Sequence, residues 1–173
     1  MARLPALLLI VLLCGFRSSI PLREHVVPYD PAEIIWAQSE GTGRIDGIAT
    51  WKLDKIWPCR EVTLFARSAY ADETFMAMYG NLDYARFHAM QLRGAFRSTD
   101  ERFRKDARRA QCDSDGGFVF SHLPAGTYYI SIPFIGDIVV SRLGTFRRSL
   151  QEYVFKRVVV TDGETVNIDL RDR

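Results

Sequence analysis

The chain has 173 residues, 47% of them hydrophobic and 25% charged, which is material for one domain with one core and argues against disorder. Its 23 Lys and Arg against 21 Asp and Glu leave a net charge of +2, too even a balance for charge alone to point to nucleic acid.

The start of the chain differs in kind from the rest. Met1-Ala2-Arg3 is a short basic opening, and residues 4–13 are almost unbroken Leu, Ile, Val and Ala. About ten apolar residues are too few to cross ~30 Å of hydrocarbon but match the core of a secretory signal. Residues 1–15 therefore read as an export signal cut before Phe16, which predicts a periplasmic or extracellular protein. Cys14 offers a lipidation alternative, with Leu13 standing where a small residue is usual, and an uncleaved anchor is the third reading. These are the routes to a membrane that the sequence offers. Residues 16–40 carry Pro21, Pro28 and Pro31 among the apolar anchors Val26, Val27, Tyr29, Ile34, Ile35 and Trp36, and predict an extended lead-in lying against the domain.

Seven strand signals follow, at 43–53, 60–68, 108–113, 117–121, 126–134, 153–161 and 164–170, the count of a small antiparallel sandwich. Between the second and third lies an insertion, 69–107. In it Phe75, Met78, Tyr79, Leu82, Phe87, Met90 and Leu92 recur at three-to-four spacing and predict an amphipathic helix over 72–93, interrupted only by Gly80-Asn81. A second excursion, 136–151, sets Arg142, Arg147 and Arg148 among apolar residues and reads as a loop.

Residues 113–132 spell out turn, strand, turn and strand. Asp113, Asp115 and Gly116 supply the first turn, Phe118 and Phe120 alternate on one face, Leu123-Pro124-Ala125-Gly126 turns again, and Tyr128, Ile130 and Ile132 resume period two. Phe118, Phe120, Leu123, Tyr128, Ile130, Val62, Leu64, Ile45 and Val159 are the expected core.

Chemistry is harder to find. Asp113-x-Asp115-Gly116 could begin a calcium loop, but a bidentate Glu about twelve positions on is missing and Ala125 stands there, so the acids read as turn formers. His25, His88 and His122 fall in three separate segments without ligand spacing, so neither a metal nor another cofactor is expected. A G-x-S-x-G elbow is also missing. Arg93, Arg97, Arg102, Arg104, Lys105, Arg108 and Arg109, interleaved with Phe96 and Phe103, superficially suggest nucleic acid or anionic lipid. Asp100, Glu101 and Asp106 interrupt the run, so it reads as a solvated, salt-bridged segment, with an anionic envelope polymer or lipid surface as the alternative. Cys59 and Cys112 read as one disulfide in an exported protein and as two core thiols in a cytosolic one.

The 113–132 run resembles the carboxypeptidase regulatory-like domains, transthyretin-like sandwiches in which a D-x-D-G-x-F-x-F turn and strand precede L-P-x-G-x-Y. Residues 43–49 look like the family's opening strand, 60–66 like its second and 158–170 like its closing hairpin, so the resemblance covers residues 41–173. It implies a mainly β, transthyretin-like antiparallel sandwich with the helical insertion between the second and third strands. It also implies that those strands pair antiparallel, which would bring Cys59 and Cys112 together as a disulfide. Two related enzyme groups do not carry over: a Tyr and His iron set is not found, and the chain ends Asp-Leu-Arg-Asp-Arg rather than in the hydroxyisourate hydrolase tetrapeptide.

The resemblance implies a non-catalytic module, here without a second domain to serve. The main reading is an exported cell-envelope module that binds a protein or envelope glycan in trans through its insertion and end loops. The rivals are an uncharacterised metal-dependent enzyme or carrier using Asp113, Asp115 and a histidine, and a structural subunit of an envelope assembly.

Overall fold

The computed structural model describes residues 22–52, 55–91, 95–141 and 145–172, with Met90 and residues 137–141 and 145–149 described by backbone alone. Residues 1–15, expected to be a signal, with Cys14, and Leu92, Arg93 and Arg142, lie outside the described residues, as do the side chains of Arg147 and Arg148.

In chain order the elements are β1 (Leu22–Arg23), a 3-10 helix (Pro31–Gln38), β2 (Gly43–Lys52), β3 (Ile56–Pro58), β4 (Glu61–Ala66) and α1 (Ala69–Tyr79). There follow β5 (Tyr84–His88), a 3-10 turn (Ala89–Gln91), β6 (Ala95–Phe96), α2 (Glu101–Lys105) and β7 (Arg108–Gln111). The chain closes with β8 (Gly117–Leu123), β9 (Gly126–Ser141), β10 (Thr145–Val160) and β11 (Thr165–Arg171). No helix among the described residues is long and apolar enough to cross a membrane.

The fold is mainly β and sandwich-like. One antiparallel sheet runs β5-β10-β9-β4-β7. In the other, β11 pairs in parallel with one edge of β2 while β8 and β3 pair antiparallel along its other edge. Period two aims Ile45 and Trp51, Phe118 and Phe120, Ile168 and Leu170 of this second sheet at Val62, Leu64, Tyr128, Ile130, Ile132 and Val154 of the first, and all are buried in one core. Burying each such side chain fully stabilises the fold by about 1.5–3 kcal/mol.

Several expectations change. The described residues hold eleven strands rather than seven. The lead-in is not wholly extended: Asp30 accepts from the Ala32 amide at 2.9 Å and starts a 3-10 helix with Pro31 in its first turn. The insertion's helix is half the predicted length. Ser68 caps its start, accepting from the Ala71 amide at 3.1 Å, and Gly80 ends it in the left-handed region at φ 76. Asn81 then accepts from the amides of Asp83 and Tyr84, both at 3.0 Å, and turns the chain into β5, which joins the sheet beside β10. The 136–151 segment is no loop, since its described residues continue the β9–β10 ladder from Gly136↔Leu150 to Ser141↔Thr145. The end of the chain is no hairpin either: β10 belongs to the first sheet, and β11 crosses to lie parallel to β2. Val159 is 57% exposed, while Val158 and Val160 turn inward.

The outer face of the five-stranded sheet carries a second core. Tyr129 of β9 and Phe155 of β10 are covered by Tyr70, Phe75 and Tyr79 of α1 and by Phe103 of α2. This aromatic layer supports the site described next.

Candidate functional site: a groove between lead-in and insertion

The lead-in returns across the insertion and is tied to it at several places. Its first strand pairs in parallel with β6, Leu22 opposite Ala95 and Arg23 opposite Phe96. Glu73 of α1 accepts from the amides of Val26 at 2.8 Å and Val27 at 3.0 Å. The same carboxylate accepts from His25 Nδ1 at 3.1 Å, and the imidazole lies between the rings of Tyr70 and Phe96, at centroid distances of 4.1 and 3.5 Å. Its Nε2 is buried without a hydrogen-bond partner. Finally Tyr29 donates its hydroxyl to Asp106 at 2.5 Å.

Between this strap and the residues after β6 lies an open groove of about 440 Å³. Its near wall is Glu24 to Tyr29, its far wall Ser98, Thr99, Asp100 and Arg102, with Tyr70 behind. Asp100 sits here because it caps α2: its Oδ1 accepts from the Arg102 amide at 2.9 Å. The Arg102 guanidinium folds back on the same carboxylate, Nε to Oδ1 at 3.1 Å and Nη2 to Oδ2 at 2.8 Å, and lies 5.3 Å over the Tyr29 ring. Glu24 is met by Arg97 Nε at 2.7 Å.

The electrostatics follow from these contacts. Hydrogen bonds from the side chain and amide of Arg102 hold the Asp100 carboxyl below the usual carboxylate range. Burial works to raise Glu73, and the Val26 and Val27 amides with His25 outweigh it, so this carboxyl also lies below its ordinary value. Burial, then the Asp106 carboxylate, push the Tyr29 phenol well up, and burial raises Tyr70. At neutral pH the groove thus presents ionised carboxylates, a guanidinium and neutral phenols.

The residues singled out from the sequence lie elsewhere and build the fold. Cys59 and Cys112 form a disulfide with Cα atoms 5.7 Å apart, beside the Glu61↔Gln111 end of the β4–β7 pair. Asp113 Oδ1 accepts from the amides of Asp115 at 2.9 Å and Gly117 at 2.7 Å, while the Asp115 side chain is exposed. Gly116 has φ 86, and a Cβ there would meet the Ala49 carbonyl oxygen at 2.2 Å, so only glycine fits the turn. Leu123 is fully buried, Tyr128 donates to the Pro124 carbonyl at 2.8 Å, and Gly126 lies directly beneath the Trp36 ring.

Of the three histidines only His25 reaches the groove; His88 lies near the Trp51 ring and His122 is exposed. Among the described residues no group of three His, Cys, Asp or Glu is placed to hold a metal. The basic stretch is salt-bridged, Arg109 to Glu61 and Lys105 to Glu101, with Arg108 donating to the carbonyls of Ala37, Ser39, Ser121 and His122.

Sequence reasoning missed the groove. Its one local signal was Ser98-Thr99-Asp100 ahead of a short charged helix, a capping pattern that marks a turn but not a site. A second hollow, about 370 Å³ on the outer face of the β2–β11 pair, is lined by Asp46, Asn167 and Asp169 and holds no aromatic side chain.

No family model and no curated protein matches the chain. Among solved structures it is similar to a crystal structure from Pseudomonas aeruginosa described as a candidate carbohydrate binding protein, at 22% identity and a TM-score of 0.64. The alignment covers 86% of this chain and all of that one, and at this identity the likeness shows a shared fold.

Proposed function

We propose that this chain is a non-catalytic, exported module of the carboxypeptidase regulatory-like, transthyretin-like type, and that its groove binds a saccharide of the cell envelope. The observation that carries the reading is the far wall of the groove. Ser98, Thr99, Asp100 and Arg102 put hydroxyl, carboxylate and guanidinium groups side by side on an open surface, the polar equipment that orients a hydroxyl-rich ligand. The description of the P. aeruginosa fold neighbour as a candidate carbohydrate binding protein supports the same choice. Export is supported by the apolar run at 4–13 and by the Cys59–Cys112 disulfide, a bond that persists in oxidising compartments. Against the metal-dependent alternative, the two amide hydrogens on Asp113 Oδ1 support reading this acid as a turn former.

A glycan array probed with the purified exported protein, followed by calorimetry on the hits, tests the reading. Saturable binding that Asp100→Ala weakens at least about tenfold is expected, since a hydrogen bond to a charged group contributes about 1.5–3 kcal/mol, together with a fall of only a few degrees in melting temperature from the lost cap of α2. An array without any saccharide hit, or binding untouched by Asp100→Ala, would refute it.

A further inference from the structure

From the pairing of charges in the groove we infer that its ligand is a neutral saccharide, held by two neighbouring hydroxyls on the Asp100–Arg102 pair; this rests on the saccharide reading above. The carboxylates that line the groove are already paired with guanidiniums, Asp100 with Arg102 and Glu24 with Arg97. An anionic sugar would find both guanidiniums already paired, and a cationic one both carboxylates. Neither gains an uncompensated partner.

The pair also has spare hydrogen-bonding capacity of the right kind. Oδ1 of Asp100 takes two N–H groups, from the Arg102 amide and Nε, while Oδ2 takes only one, from Nη2. One lone-pair direction on Oδ2 stays open, and the Arg102 side chain, 57% exposed, keeps its Nη1 hydrogens for a ligand. An acceptor and a donor so fixed side by side match two adjacent hydroxyls, one donating to the carboxylate and the next accepting from the guanidinium. Ser98 and Thr99 supply further groups that both donate and accept. The planar fork sets this geometry, so charge alone does not replace it.

Calorimetric titration of the exported protein with cellotriose, maltotriose and chitotriose, against trigalacturonate and a hyaluronan hexasaccharide, decides the matter. We expect a neutral oligosaccharide to bind at least about tenfold more tightly than either anionic one, with a Kd that changes less than about twofold between roughly 50 and 500 mM salt. Arg102→Lys, which keeps the charge and loses the fork, should weaken that binding about tenfold, and Ser98→Ala at the exposed rim about threefold. Preferential, salt-sensitive binding of the anionic sugars would overturn the neutral-ligand inference while leaving saccharide binding intact, as would an Arg102→Lys variant that binds as well as the wild type. Silence from both sets would remove the saccharide reading and this inference with it.

Discussion

The two faces of the five-stranded sheet are built from different materials and by different rules. Its inner face meets the other sheet through Ile130, Ile132, Val154 and Val160 with a few rings, a core made where period-two strands face period-two strands. Its outer face, one residue out of step, offers Tyr129 and Phe155 to a layer of rings. Phe75 lies 5.1 Å from Tyr129 and 4.8 Å from Phe155, and Phe65 stacks on Phe103 at 4.6 Å. The inner core is what makes the sheets a sandwich. The outer core is supplied by the insertion together with Tyr29 and Ile34 of the lead-in, and the groove lies on this side, apart from the core between the sheets.

The largest expected effect separates the two faces. Phe120→Ala empties the inner core and should cost about 3–5 kcal/mol of global stability, read by denaturant unfolding. Phe75→Ala removes as large a ring from the outer layer, but its penalty should fall locally. Amide hydrogen exchange should accelerate across α1 and β5 while β2 and β8 stay protected. Equal loss of protection in β2 and β8 would show that the two layers unfold as one unit.

The same division explains what could be read from the sequence. Phe118 and Phe120 alternate with polar or exposed neighbours, and the pattern alone aims them inward. Val158-Val159-Val160 offers no alternation, so the choice of Val159 for the core had nothing to correct it; the ladder with β9 decides in favour of its neighbours. In the insertion, Leu82 and Phe87 continue the helical spacing by chance, and the left-handed Gly80 outweighs it. Tyr129 and Phe155 gave no hint of a second core, since a residue on the far face of a strand ordinarily meets solvent until another element arrives to cover it. The groove was least legible, because Glu73 meets partners 46 to 48 residues earlier in the chain and no local pattern reports such a contact.

One ion pair bridges the comparison and offers a way to break it. Arg86, brought in by the insertion's strand β5, donates to Glu152 of β10 at 2.6 Å and to the carbonyls of Thr50 and Leu170 in the other sheet. The side chains are 16% and 7% exposed, and burial raises the Glu152 carboxyl above its ordinary value even though Arg86 pulls the other way. Arg86→Met should cost about 3 kcal/mol at pH 7, the low end for an orphaned buried charge, because Arg86 is not fully enclosed. An acid whose folded value is raised weakens the fold as pH rises from its unfolded value through the folded one. Without Arg86 that value rises further, so the deficit should shrink on acidification from neutral toward pH 5, measured by urea unfolding at both. A deficit that does not change with pH would mean that Glu152 is not the group left in distress.

The smallest effect belongs to the strap that walls the groove, and it tests whether the outer layer can be loosened without touching either core. Glu73 has the one carboxylate that accepts from His25, Val26 and Val27 together. Glu73→Gln keeps the size but turns one acceptor oxygen into a donor, so at least one strap amide faces an N–H group. The expected cost is about 1–2 kcal/mol, below the full value for a charged hydrogen bond because Val26 is 87% exposed and water can replace what is lost. Exchange should speed up at residues 25–27 and 95–97, where the strap and β6 depend on each other, and the melting temperature should move by only a few degrees. The pH dependence has the opposite sign to that of Glu152. The folded Glu73 value is lowered, so its contribution is present above the unfolded value and is lost as pH falls through the folded one. Wild-type exchange at 25–27, corrected for intrinsic rates, should therefore rise below about pH 4.5 toward that of Glu73→Gln, which lacks the titration. If the variant instead keeps the wild-type acid response, the strap is held by the stacking of His25 on Tyr70 and Phe96 rather than by the carboxylate.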